Sequence, residues 1–145
     1  MVSGHPLRAR TRNAAAVDIV NETQGGVLVS IESGQWANDK AFAAIKENGS
    51  IVSWGYFNYG GDSSAVADAL DAIGSPAVTH VFTAGAAFAA LREDGSVVTW
   101  GRRNYGGDSS AVAEAIDASD SPAVTQVLST ETAFAALREE GSIVT

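Results

Sequence analysis

The stretch AFAALREDGSVVTWGRRNYGGDSSAVAEAIDASDSP, residues 87–122, decides the architecture. Phe88 to Leu91 and Val97 to Trp100 are two β-prone runs. The Asp94-Gly95 pair between them is a strong hairpin signal, because glycine accepts positive φ. Phe88 and Ala90 share one face of the first run, Ala89 and Leu91 the other. The small alanines imply a sheet face that neighbours approach closely. Trp100-Gly101 then opens a loop punctuated by Gly106 and Gly107. AVAEAIDAS, residues 111–119, reads as a short helix that Asp108, Ser109 or Ser110 caps. Val112 and Ile116 lie four residues apart on one stripe of it. Ser121-Pro122 ends the helix, since proline disfavours helical geometry before it. AVTQVLS starts another strand, so the unit is strand, two-stranded hairpin, glycine loop and short helix.

The unit recurs every 46 residues. AFAAIKENGSIVSWG begins at Ala41, AFAALREDGSVVTWG at Ala87 and AFAALREEGSIVT at Ala133. Residues 41–86 and 87–132 align without gaps and share 29 of 46 positions. The third copy runs to Thr145, the equivalent of Thr99. Upstream, VLVSI (27–31) resembles the strands AVTHV (77–81) and AVTQV (123–127), followed by the longer link SGQWANDK. The repeat domain is therefore 27–145, with units near 27–76, 77–122 and a truncated 123–145, after an N-terminal tail of residues 1–26. Such a unit buries its faces only by stacking on neighbours. The expected fold is mainly β with short helices, about two and a half propeller-blade-like repeats in an open arc. A β-solenoid-like array is the alternative.

The run AVTQVLSTETAFAALREEGSIVT, with Trp-Gly and NYGG following in the earlier copies, resembles the repeat of the regulator of chromosome condensation family. The matching positions are Val127, Ala133 to Leu137 and Gly141 to Val144, with Asp94-Gly95, Trp100-Gly101 and Gly106-Gly107 in the middle copy. The resemblance covers roughly 27–145 and is to the variety that carries YGGDSS. It implies β-propeller blades. The family typically closes a seven-bladed ring, whereas this chain has about two and a half units, and GGDSSAVAEAIDAS looks more helical than the outer part of a blade. Family activities include guanine-nucleotide exchange, chromatin binding and β-lactamase inhibition. They reside in member-specific loops, and a shared fold does not carry them over.

An arc of so few units exposes two sheet flanks, which proteins cover or pair. The expected partners are a protein, or further copies of the chain meeting through those flanks, in a larger assembly or a longer repeat protein.

Charge narrows the partners further. The formal net charge is −8, and nine basic residues face 17 acidic ones. Arg8, Arg10 and Arg12 precede every acidic residue; from residue 13 onward the net is −11. An acidic body argues against nucleic acid, whose phosphates need clustered Lys and Arg. The Arg-rich start lacks the apolar stretch of a secretory signal. It reads as a solvated tail, with an arm into a partner or a targeting remnant as alternatives. No apolar run approaches the roughly 20 residues that span a bilayer. The absence of cysteine removes disulfides, thiolate nucleophiles and cysteine metal sites.

Chemistry-bearing residues are sparse. His5 lies in the tail, and His80 is Gln126 in the next copy. NYGGDSS, at 58–64 and 104–110, is polar, glycine-rich and placed before a helix. It lacks the Gly-Lys-Ser/Thr of a phosphate loop and the ligand pattern of an EF-hand. Asn58, Asp62, Asn104 and Asp108 are its ligand candidates, for a glycan, an anion or calcium. Asp62, Asp68 and Asp71 recur as Asp108, Glu114 and Asp117, a pattern of capping and solvated helix faces rather than of a catalytic pair. No catalytic residue, metal site or cofactor is expected. Trp54 and Trp100 are expected in the core between units.

Positions that change class between copies mark the exposed surface. Tyr56-Phe57 becomes Arg102-Arg103 at one loop position, and Trp36 stands outside the repeat register. Aromatics and arginine are enriched at interface hot spots, so Tyr56, Phe57, Arg102, Arg103 and Trp36 are the partner-binding candidates. The sequence thus points to a non-catalytic interaction or scaffolding module. The alternative is a ligand-binding protein that uses the NYGGDSS loops.

Overall fold

The computed structural model describes residues 7–12, 16–21, 26–27 and 37–145. Three small sheets follow one another along the chain. The first holds β1 (Leu7–Arg12), β2 (Ala16–Asn21), β3 (Gly26–Val27), β4 (Ala41–Ile45) and β5 (Ile51–Gly55). Its order is β1-β2-β4-β5, with β3 also paired to β2. The second holds β6 (Val78–Ala84), β7 (Ala87–Arg92) and β8 (Val97–Gly101), in that order. The third holds β9 (Val124–Ser129), β10 (Phe134–Arg138) and β11 (Ile143–Val144), again in chain order. Pairing is antiparallel except for one parallel bridge, Ala16 to Ala43, between β2 and β4. Among the described residues two short α-helices, α1 (Ala67–Leu70) and α2 (Ala113–Ile116), and several 3-10 turns accompany the strands of a mainly β protein in which no described sheet closes into a barrel.

Residues 1–26, read from the sequence as a tail, contribute the paired strands β1 and β2. Of the strand expected at VLVSI, only Val27 falls within the described residues, where it pairs with Val20.

The hairpin turns form where Asp-Gly and its equivalents stand. Asp94 Oδ1 accepts the amide of Ser96 at 2.9 Å, and Asn48 Oδ1 accepts that of Ser50 at 3.0 Å. These side-chain turns fix the register that opposes Phe88 to Trp100 and Phe42 to Trp54. The turn tips then tie successive sheets together. Val78 N donates to Gly49 O and Val124 N to Gly95 O, both at 2.8 Å.

Alternation along β7 divides its side chains between two cores. Phe88 and Ala90 join Ala43, Ile45, Leu70, Val81 and Trp100 against the first sheet. Ala89 and Leu91 join Ile116, Val124, Val127 and Ala136 against the third. Both faces of the strand are therefore buried, and the alanines keep its two neighbours close.

Two local expectations change. The helix expected over 111–119 is only the four residues of α2. Val112 before it ends a 3-10 turn, Ser110–Val112, with φ −123° and ψ 14°, and Asp117 after it is extended (φ −96°, ψ 102°). Ser121 Oγ donates to Glu114 O at 2.6 Å, so a side chain satisfies a carbonyl that a longer helix would bond internally. Nor does Asp108 or a serine cap α2: its N-cap is Val112, with no side-chain cap bond. Asp108 Oδ1 instead accepts the amide of Ser110 at 3.0 Å and shapes the turn ahead of the helix. The tryptophans also differ from each other. Trp100 is buried at 3% exposure, whereas Trp54 is 38% exposed.

Candidate functional site

The glycine loops following β5 and β8 are built alike. Each begins with a 3-10 turn, Phe57–Tyr59 in one and Arg103–Tyr105 in the other. Each turn ends on a glycine at positive φ, Gly60 at +95° and Gly106 at +91°. A Cβ on Gly60 would lie 2.5 Å from the Phe88 ring, and one on Gly106 would lie 2.6 Å from the Phe134 ring. Glycine is thus required twice over, for conformation and for space. The loops are seated on the following sheet, and their remaining residues form a rim.

That rim holds an open cleft of about 820 Å³. Tyr56, Asn58 and Tyr59 line it from the first loop, Arg102, Arg103 and Asn104 from the second, and Lys40 from the link before β4. The structure therefore brings together five of the residues singled out from sequence: Tyr56, Asn58, Arg102, Arg103 and Asn104. Phe57 stands beside the cleft with its ring 5.3 Å from that of Tyr56, and the two are 61% and 51% exposed. Trp36 lies outside the described residues.

Lys40 is the residue that sequence reasoning missed. Its main chain supports the first loop, because Tyr56 N donates to Lys40 O at 2.7 Å. The equivalent bond in the second unit runs from Arg102 N to Ala86 O at 2.9 Å. The position is Lys40, Ala86 and Thr132 in the three copies, the same change of class that marks 56–57 and 102–103. It falls one residue before the aligned repeat begins, so a comparison starting at Ala41 passes it by.

Electrostatically the cleft is cationic in an acidic protein. Lys40 Nζ lies 4.7 Å from the centre of the Tyr59 ring, and the Arg102 guanidinium 5.1 Å from that of Tyr105. Arg103 binds Asp108 through both Nε (3.1 Å) and a terminal nitrogen (2.9 Å). Asp108 is held at a pKa of about 2 by hydrogen bonds from the Ser110 hydroxyl and amide, and then by Arg103. Asp62, with Phe57 in place of the arginine, is also lowered, by the Ser64 hydroxyl and amide.

The other ligand candidates are engaged locally. Asp62 Oδ1 accepts the amide of Ser64 at 2.9 Å, as Asp108 does that of Ser110. Ser53 Oγ donates to Ser63 Oγ, and Thr99 Oγ1 to Ser109 Oγ, each at 2.9 Å, pinning the loop to its own hairpin. Among the described residues, no group of three or more His, Asp or Glu side chains gathers as a metal ion would need. None of the described helices is long and apolar enough to cross a membrane. His80 is exposed, with Nδ1 3.1 Å from Thr79 Oγ1.

A second cavity, of about 160 Å³, lies between the second and third sheets, lined by apolar residues including Val97, Ile116, Val127, Phe134 and Val144. Comparison with protein-family models and with curated proteins finds no match for the chain.

Proposed function

We propose that the chain is a non-catalytic protein–protein interaction or scaffolding module, built on repeats of the regulator of chromosome condensation type. In this reading the three sheets are propeller-blade-like units in an open arc. One observation carries it. Several residues constant between copies, such as Phe88, Trp100 and Gly106, go into cores and turns, while Lys40, Tyr56, Arg102 and Arg103, at positions that change class, line one cleft. A frame held fixed under a varied rim is how a scaffold presents recognition residues. Exposed apolar side chains on the third sheet, Leu128 at 57% and Ile143 at 65%, support self-association through sheet flanks as a companion mode. Asp62 and Asp108 already accept local amides, so the calcium reading of the loops is the weaker one.

The test is selection of random dodecapeptides displayed on phage against the protein. Counter-selection uses the variant Tyr56→Ser, Phe57→Ser, Arg102→Ser, Arg103→Ser. Peptides that bind the wild type and lose the variant support the proposal. Failure to enrich any such peptide overturns it.

A further inference from the structure

We infer that the cleft between the two glycine loops receives an extended peptide segment that carries carboxylates beside an apolar side chain. This rests on the reading of the loop rim as a recognition surface and adds the chemistry of the partner.

Charge distribution is the first argument. Beyond Arg12 the chain has six basic residues, and three of them, Lys40, Arg102 and Arg103, line this one cleft. No acidic residue lines it. Among the described residues Lys40 and Arg102 make no ion pair; the described pairs are Arg103 with Asp108 and Arg138 with Glu140. Two cations lying on tyrosine rings without a carboxylate are positioned charges awaiting a counter-charge. A guanidinium binds a carboxylate through two parallel hydrogen bonds.

The neighbouring groups favour a peptide among anions. Asn58 and Asn104 are exposed on the same cleft, one on each loop. A carboxamide both donates and accepts, which suits a peptide main chain. Tyr56 and Phe57 add an exposed aromatic pair at one side, a platform for an apolar side chain. A long nucleic acid would lay its phosphates across a body carrying 17 carboxylates. A short segment feels little beyond the cleft, because fields are screened over about 8 Å at physiological salt.

Asp108 gives the proposal a distinctive signature. It occupies Arg103 at 2.9 Å in the free protein. An incoming carboxylate therefore competes with it, and Asp108→Asn should tighten binding while Arg102→Ser and Lys40→Ser weaken it.

The experiment is fluorescence anisotropy with a labelled peptide of sequence Glu-Asp-Phe-Asp-Glu-Gly. The same peptide with lysine at its acidic positions and a ten-residue oligothymidylate serve as comparisons. Saturable binding is expected, weakened about tenfold by Arg102→Ser or Lys40→Ser, tightened by Asp108→Asn, and weakened by added salt. Circular dichroism of each variant should match the wild type. Binding that ignores both Arg102→Ser and Lys40→Ser overturns the inference, as does tighter binding of the oligothymidylate. Absence of binding to the acidic peptide also overturns it. If the phage selection then yields peptides without acidic residues that still need the four rim side chains, the interaction module stands and only the acidic partner falls. If it yields none, both fall.

Discussion

Trp100 Nε1 donates to the carbonyl of Gly60 at 3.0 Å, forty residues back along the chain. The same indole stacks on Phe88, ring centres 5.3 Å apart, and Phe88 occupies the space that a Cβ on Gly60 would need. One residue of the second sheet thus completes both the packing and the hydrogen bonding of the loop that follows the first. Trp54 makes the same stack on Phe42, at 5.5 Å, but is more than a third exposed. The two tryptophans share a hairpin position and differ in what lies beyond it.

Their substitutions should therefore differ. Trp100→Phe removes the donor, leaves the Gly60 carbonyl in a buried setting without its partner, and opens a gap. The expected cost is about 2–3 kcal/mol. Trp54→Phe loses partly exposed area only, and should cost less than about 1 kcal/mol. Urea unfolding of both variants checks this, and equal midpoints would contradict the contact.

Glycine positions should separate as sharply. Gly106→Ala meets both positive φ and the Phe134 ring, and is expected to destabilise by about 2–4 kcal/mol. Gly74 has nothing within 4 Å and no positive φ. It is aspartate, Asp120, in the next copy. Gly74→Ala should be neutral, or stabilising by up to about 1 kcal/mol through the unfolded chain. Thermal melts of the pair give the comparison, and a large loss for Gly74→Ala would show that the turn at 72–75 is tighter than the structure has it.

The hairpins and the division of β7 between two faces were legible because their causes are local. Period-two alternation and an Asx-Gly turn fix the register within ten residues. The partner of Trp100 was not legible, since it depends on where a loop forty residues away comes to rest. Nor was the exposure of Trp54, which shares its neighbours in sequence with Trp100 but not its neighbours in space. The short helix was legible in AVAEAI, where Ala113–Ile116 forms, but not its early end, where Asp117 turns extended and Ser121 bonds the Glu114 carbonyl, a side-chain bond that propensity does not count. At the candidate site, loop positions 56–57 and 102–103 could be read from their change of class. That they share a cleft with Lys40 is a consequence of stacking.

Protonation of Asp108 offers a test of the rim. Its pKa is lowered to about 2 in the folded protein, so its contribution is present above the unfolded carboxylate value, about 3.9, and is lost as pH falls through about 2. The wild type should exceed Asp108→Asn in stability at neutral pH, with the difference shrinking as pH falls below about 4. The gap is expected to be small, since Arg103 is solvent-exposed and screened. A carboxyl NMR titration is more direct. Arg103→Ser should raise the Asp108 midpoint, and an unchanged midpoint would mean that the Ser110 bonds act alone.

The cavity between the second and third sheets should accept an indole. Gly106 and Phe134 line it, and they are the equivalents of Gly60 and Phe88, the residues that hold Trp100 between the first two sheets. Its volume, about 160 Å³, is that of a large aromatic side chain. Thr145 lies at its edge, in the register position of Thr99, and the next position corresponds to Trp100. Appending Trp-Gly after Thr145 should therefore place an indole on Phe134 with its N–H toward the Gly106 carbonyl. Burying that ring is worth about 2–3 kcal/mol, a rise of several degrees in Tm. Ala-Gly appended at the same point adds chain without the ring and should leave Tm nearly unchanged. A blue-shifted emission component present in the Trp-Gly chain and absent from the Ala-Gly chain, both with Trp36 and Trp54 replaced by phenylalanine, would report its burial. Equal melting of the two extended chains would show that the cavity is not shaped as the Trp100 site is.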